Sequence, residues 1–199
     1  RPGRAPASRD GTGSATNPRD AFALRADAGL THHRLSIEWA RLEPEPGRWD
    51  RDAVEHYRSM LEAANDAGLS VWVCLHHFSL PGWFSDDLGG FVDDKARRYH
   101  WPRHVDRVAE TFGDLVFGWK PINEPVAHAS LGWLDGTFPP GRRDPEKFFD
   151  ALRAVHLANH EAWLLLKGGD QPVATVYNLA PVVPRSTEPH VTALADTID

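Results

Sequence analysis

Cysteine is almost absent. Cys74 stands alone among 199 residues, so no internal disulfide and no cysteine metal cluster can form. A reducing compartment follows as the expected setting, and with it a cytoplasmic location. Positive charge is not in excess: 22 Lys and Arg against 28 Asp and Glu leave a net charge of −6. With no basic stripe, nucleic acid is not an expected partner. No stretch is long and apolar enough to cross a bilayer, so no membrane partner is expected either. The N-terminus has no apolar signal core. Residues 1–16, rich in Arg, Gly, Pro, Ser and Ala, read as a mobile leader, and 17–199 as one folded unit. A first residue of Arg rather than Met reads as the mark of a piece of something longer. There is no G-x-G-x-x-G or G-x-x-x-x-G-K-[ST] phosphate loop, and no H-x-H or H-E-x-x-H metal spacing.

What is present is globular composition: 41% hydrophobic and 25% charged residues. The eight Trp supply flat apolar faces for cores and rims. The stretch Leu115-Val116-Phe117-Gly118-Trp119-Lys120-Pro121-Ile122-Asn123-Glu124-Pro125 begins as a buried strand and ends in an amide, a carboxylate and a proline. Pro125 has no N–H to give a ladder, so the strand stops there. An acid at the mouth of a buried strand sits where desolvation can raise its pKa into the range useful for proton donation. The plain alternative is a surface acid in a strand-to-helix loop.

Ahead of that stretch, Asn17-Pro18-Arg19-Asp20 reads as a helix start, with Gly29 ending the helix. His33 to Trp39 reads as a strand with Arg34, Ser36 and Glu38 on one side and Leu35, Ile37 and Trp39 on the other. Asp50 caps a helix carrying Val54, Tyr57, Leu61 and Ala64 at helical spacing. Ser70 to Phe78 reads as a strand buried on both faces, ending in His76 and His77. A polar loop from Ser85 to Asp94 leads to a helix with Val105, Val108, Ala109 and Phe112 inward. After Glu124, a loop with Gly132, Gly136, Pro139, Pro140 and Gly141 is long enough to cover a pocket. Asp144-Pro145 opens a helix with Phe148, Leu152, Val155, Ala162 and Leu165 inward, and Val173 to Asn178 reads as a last strand.

Helices alternating with buried strands predict a parallel α/β sheet. A doubly wound sheet would announce a phosphate loop; a β/α barrel collects polar groups at the C-terminal ends of its strands. Trp39, His77, Asn123, Glu124 and Asn178 fall at such ends, which favours the barrel.

Three segments, His33 to Leu42, Leu75-His76-His77-Phe78-Ser79-Leu80-Pro81 and Ile122-Asn123-Glu124-Pro125, resemble glycoside hydrolase family 1, the β-glucosidase-like (β/α)8 barrels. The family patterns are R-F-S-I-S-W-S-R-I, Y-H-W-D-L-P and T-x-N-E-P, and Tyr177-Asn178-Leu179-Ala180-Pro181 resembles a fifth-strand motif. The resemblance runs from about Asn17 to Pro184. It implies an incomplete TIM barrel, strands two to five of eight, from a retaining β-glycosidase acting on terminal β-linked sugars. It implies Glu124 as acid/base, Asn123 at the hydroxyl beside the reacting carbon, His77, Phe78 and Asn178 as sugar contacts, and Arg34 beside the nucleophile. The partner is then a small β-glycoside or oligosaccharide, and no cofactor or metal is called for. Phe78 stands where the family has Trp, Ser79 where it has Asp, and Glu38 where it has a small polar residue.

The family's T-E-N-G type nucleophile motif is missing, and neither Glu161 nor Glu188 sits in one. The chain alone is therefore expected to be inactive. Its open sheet edges are expected to promote self-association. Two rivals stay open: a non-catalytic sugar-binding relative, and a metal-dependent hydrolase using His32, His33, His76 and His77 with Glu124. Residue by residue, His77 can instead be a core histidine, Arg34 can pair with Glu38, Trp39 and Trp119 can be packing, and Cys74 a small core residue.

Overall fold

A computed structural model describes residues 17–178 and 183–198; the expected leader at 1–16 and Leu179 to Pro181 of the last motif lie outside the described residues. The elements run α1 (Pro18–Asp27), β1 (His32–Ser36), α2 (Trp39–Leu42), α3 (Arg51–Asp66), β2 (Ser70–His76), α4 (Asp94–Phe112), β3 (Gly118–Ile122), α5 (Pro125–Ala129), α6 (Pro145–Leu166) and α7 (Pro189–Ile198). The three strands are parallel in the order β1-β2-β3, with Ser36 level with Cys74 and His76 level with Ile122. Among the described residues, no helix is long and apolar enough to cross a membrane.

The helix starts at Asp50 and Asp144 follow the sequence signals, and Asp93 caps a third helix expected only to follow the polar loop. Asp50 accepts from the Ala53 N–H at 3.0 Å, Asp93 from Ala96 at 2.8 Å and Asp144 from Lys147 at 3.0 Å, each satisfying a donor the helix leaves unpaired. Asn17 departs from its expected capping role: its side-chain amide donates to Asp20 instead. Val71, Val73 and Leu75 of β2 are buried in one core with Leu61 and Ala64 of α3 and Val105 and Val108 of α4. Gly118 is required by packing. A Cβ there would lie 2.5–2.9 Å from the ring of Trp72, its neighbour across β2 and β3.

Four expected elements take a different form. The first strand stops at Ser36 rather than Trp39, because the Glu38 carbonyl accepts from both Arg41 and Leu42 N–H groups and closes a helical turn. Trp39 thus leaves the strand mouth and is buried, its indole N–H donating to Glu43. The second strand stops at His76, two residues early. The polar loop from Ser85 holds two short helical turns, Trp83–Asp87 and Gly90–Val92, because Phe84 and Phe91 bury themselves in the core. The last strand is reduced to isolated parallel bridges of Val173 to Trp119 and Val176 to Asn123. On α6, Leu166 rather than Leu165 is buried.

Buried polar groups sit between the layers. Arg97, on α4, is buried and pairs with Asp94 at 2.6 Å and with Glu161 of α6 at 3.3 Å. His104 stacks on Trp39 at 4.4 Å, and neither ring nitrogen meets a hydrogen-bond partner among the described residues. Burial pushes His104 down to about 3 and His128 to about 4. Both rings are therefore neutral in the folded state and protonate near 6.5 when unfolded. The unfolded chain binds more protons in that window, so stability is full above pH 6.5 and falls below it by about 1.4 kcal/mol per pH unit per group, down to about pH 4 for His128 and about 3 for His104. His104→Phe removes an unsatisfied polar ring and one titrating group. It should be at least as stable as the parent at pH 7 and lose stability less steeply between pH 6 and 4, as read by urea unfolding across that range.

Candidate active site

The parallel register brings the ends of β1, β2 and β3 to one rim. Arg34 and Ser36 reach it from β1. The Arg34 Nη1 donates to Asn123 Oδ1 at 2.9 Å, so Arg34 pairs with Asn123 rather than Glu38. Ser36 Oγ lies 2.8 Å from His77 Nδ1. Strict alternation would put His76, not His77, on the side of Cys74 and Ser36. The chain leaves the strand after His76, and His77 is the ring that reaches Ser36.

Asn123 is buried, at 1% exposure, and its N–H donates to the His76 carbonyl. Glu124 is half-buried, its N–H donating to the Val176 carbonyl at 2.9 Å. Its backbone is left-handed, with φ +46°, immediately before Pro125 at the first position of α5. Phe78, at φ +69°, is the other non-glycine residue with this geometry among the described residues. Its ring packs on His77 at 5.1 Å, on Phe138 at 5.4 Å and on His128 at 6.4 Å. Phe138 comes from the loop expected to cover a pocket, so that loop does reach the rim.

Charge at the rim is mixed. Burial, then the Arg34 guanidinium, lowers the His77 pKa, while Glu38 and Glu124 raise it; all three charges thus act on one imidazole. Below the rim, Lys120 lies 4.3 Å over the Trp72 ring and is lowered by burial and by Arg34. Cys74 is buried and its thiol is pushed up to about 11, which makes it an inert core residue.

His77, Phe78, Asn123, Glu124 and Arg34 are therefore brought together. Asn178 is exposed, two residues past the Val176 bridge, and makes no hydrogen bond among the described residues. The other histidines disperse: His32 packs on Phe117, His33 on Phe22, and His76 is buried against His128. Among the described residues no group of three or more His, Cys, Asp or Glu is arranged to hold a metal ion. Trp39 and Trp119 are both buried core residues. Sequence reasoning missed two members, Ser36 as the partner of His77 and His128 under Phe78. His128 lies four residues after Glu124 on α5, a helical spacing that returns it toward the same rim.

The family model for glycosyl hydrolase family 1 matches residues 17–197. The chain belongs to this family. Its fold is an incomplete (β/α)8 barrel. It is similar to a β-glycosidase from Pyrococcus horikoshii, with TM-score 0.85 and 31% identity, over 94% of this chain and 43% of that one. Coniferin beta-glucosidase of Pinus contorta is 33% identical over 120 residues, 60% of this chain and 23% of that protein. Human Klotho is 32% identical over 157 residues, 77% of this chain and 15% of that protein. The chain thus spans less than half the length of each of these relatives.

A non-glycine residue at positive φ costs about 1–2 kcal/mol, part of which glycine's extra unfolded-state freedom offsets. Glu124→Gly should therefore stabilise the chain by roughly 0.5–1 kcal/mol. Glu124→Ala, which keeps a Cβ, should bring no such gain; a matched pair of denaturant titrations separates them.

Proposed function

We propose that this chain carries the acid/base part of a retaining β-glycosidase of the β-glucosidase type. The observation that supports it is the placing of a half-buried Glu124 beside Asn123, which Arg34 binds, and within the electrostatic reach of His77. In this reading the Glu124 carboxyl protonates the departing alcohol oxygen while a second carboxylate, roughly 5–5.5 Å away, bonds the sugar carbon. Water then attacks, and Glu124, now a carboxylate, takes its proton. Arg34 keeps the nucleophile ionised, and His77, Asn123, Phe78 and Asn178 hold the sugar.

The nucleophile is not supplied by these 199 residues. Glu161 is engaged by Arg97 between α4 and α6, and Glu188 pairs with His190. The purified chain should therefore not hydrolyse an aryl β-glucoside. Turnover that Glu124→Gln abolishes would overturn this part of the reading. In a longer chain that includes the nucleophile, Glu124→Gln should cut kcat by about 10²–10⁴ for a poor leaving group, and much less for a highly activated one. An unchanged rate would remove Glu124 from the acid/base role.

The same missing carboxylate favours a second reading, sugar binding without turnover. Calorimetric binding of a β-glucoside by a chain that contains a nucleophile yet never cleaves it would select that reading. Among the described residues, one side of β1 is unpaired and the far edge of the sheet is held only by isolated bridges. Such edges invite pairing with another copy. Sizing chromatography should show oligomers; a sharp monomer peak would count against it.

A further inference from the structure

The turn after β2 is anchored from two sides by groups outside the expected sugar-binding set. On one side the Ser79 hydroxyl donates to the Glu38 carboxylate at the end of β1. Glu38 is itself fixed, because its backbone N–H donates to the Tyr57 hydroxyl of α3 at 3.0 Å. On the other side the Ser79 carbonyl lies 3.2 Å from His76 Nδ1. A carbonyl only accepts, so Nδ1 carries the proton. Burial keeps His76 neutral, which leaves its Nε2 an acceptor for His128 Nδ1–H, 3.3 Å away. The His128 ring in turn lies parallel to that of Phe78, with centroids 6.4 Å apart. His77 and Phe78 hang between these anchors.

The substitution pattern fits the geometry. The motif patterns that these segments resemble have serine at the place of Glu38 and aspartate at the place of Ser79; this chain has Glu38 and Ser79. The acid and the hydroxyl are exchanged between the segments that follow β1 and β2, and here they meet.

We propose that Glu38 and Ser79 form a clamp between the ends of β1 and β2, an acid–hydroxyl pair exchanged relative to the family pattern, which sets where His77 and Phe78 stand at the rim. Both are positioning residues that act through His77. Only the consequence for sugar binding rests on the glycosidase reading. The clamp itself is tested on the 199-residue chain without substrate, so failure of one does not imply failure of the other.

The groups facing His77 are Ser36 and Arg34 from β1, Glu38 beyond it, Phe78 next in the chain and Glu124 after β3. The test follows the His77 ring by heteronuclear NMR through a pH titration, alongside thermal melts, in the parent and three variants. Glu38→Gln keeps an acceptor for the Ser79 hydroxyl without the charge; it should melt like the parent while His77 titrates at lower pH. Ser79→Asp sets two carboxylates against each other; it should melt earlier and shift the His77 titration upward. The exchanged double variant, Glu38→Ser with Ser79→Asp, should recover the parent's melting temperature and bring the His77 midpoint back toward it. A double variant no better than Ser79→Asp alone would overturn the clamp. So would a His77 midpoint that is the same in all four proteins.

Discussion

Two consecutive backbone N–H groups tie the rim together. Asn123 donates to His76 in β2, and Glu124 donates the other way, to Val176. The two peptides that flank Asn123 are thereby held from opposite sides, as those of a strand residue are, although β3 itself ends at Ile122. The left-handed turn at Glu124 comes immediately after this double anchor. Without the anchor the chain would relax to an ordinary φ and the carboxyl would swing off the rim. Strain of this size persists only where surrounding bonds over-determine it.

Once Asn123 is fixed, the charges sort themselves by depth. Arg34 spends a donor on Asn123 and also bears on His77 and Lys120. Histidines deeper in the fold are held neutral by burial, whereas His77 stays half-buried between cationic and anionic neighbours. The rim is thus the place where an imidazole, an acid and a guanidinium share one environment, while the layers beneath carry rings that stay uncharged.

Much of this was legible in the chain, for identifiable reasons. Glu124 and His77 follow apolar runs whose ends are marked by a proline or a change to polar residues, and such punctuation survives folding. The caps at Asp50 and Asp144 are local, so their meaning does not depend on distant contacts. Trp39 was misplaced because alternation in Arg34 to Trp39 continues past the real end of the strand, and the Glu38 carbonyl decides the matter through a turn that alternation cannot express. The pairings of Ser36 with His77 and of Glu38 with Ser79 span 41 residues each, and nothing in the local sequence of either partner announces the other. His128 was silent because a short helix of five residues gives too little periodicity to read a face.

The indole of Trp72 lies across the space that a side chain at Gly118 would need. Neither position is then free to drift by itself. A larger residue at 118 demands a smaller one at 72, and a lost indole leaves a hollow beside Lys120 that a bare glycine cannot fill. Divergent members of the lineage that keep this architecture would be found to change the two sites together, leaving a correlated pair in the historical record of the sheet.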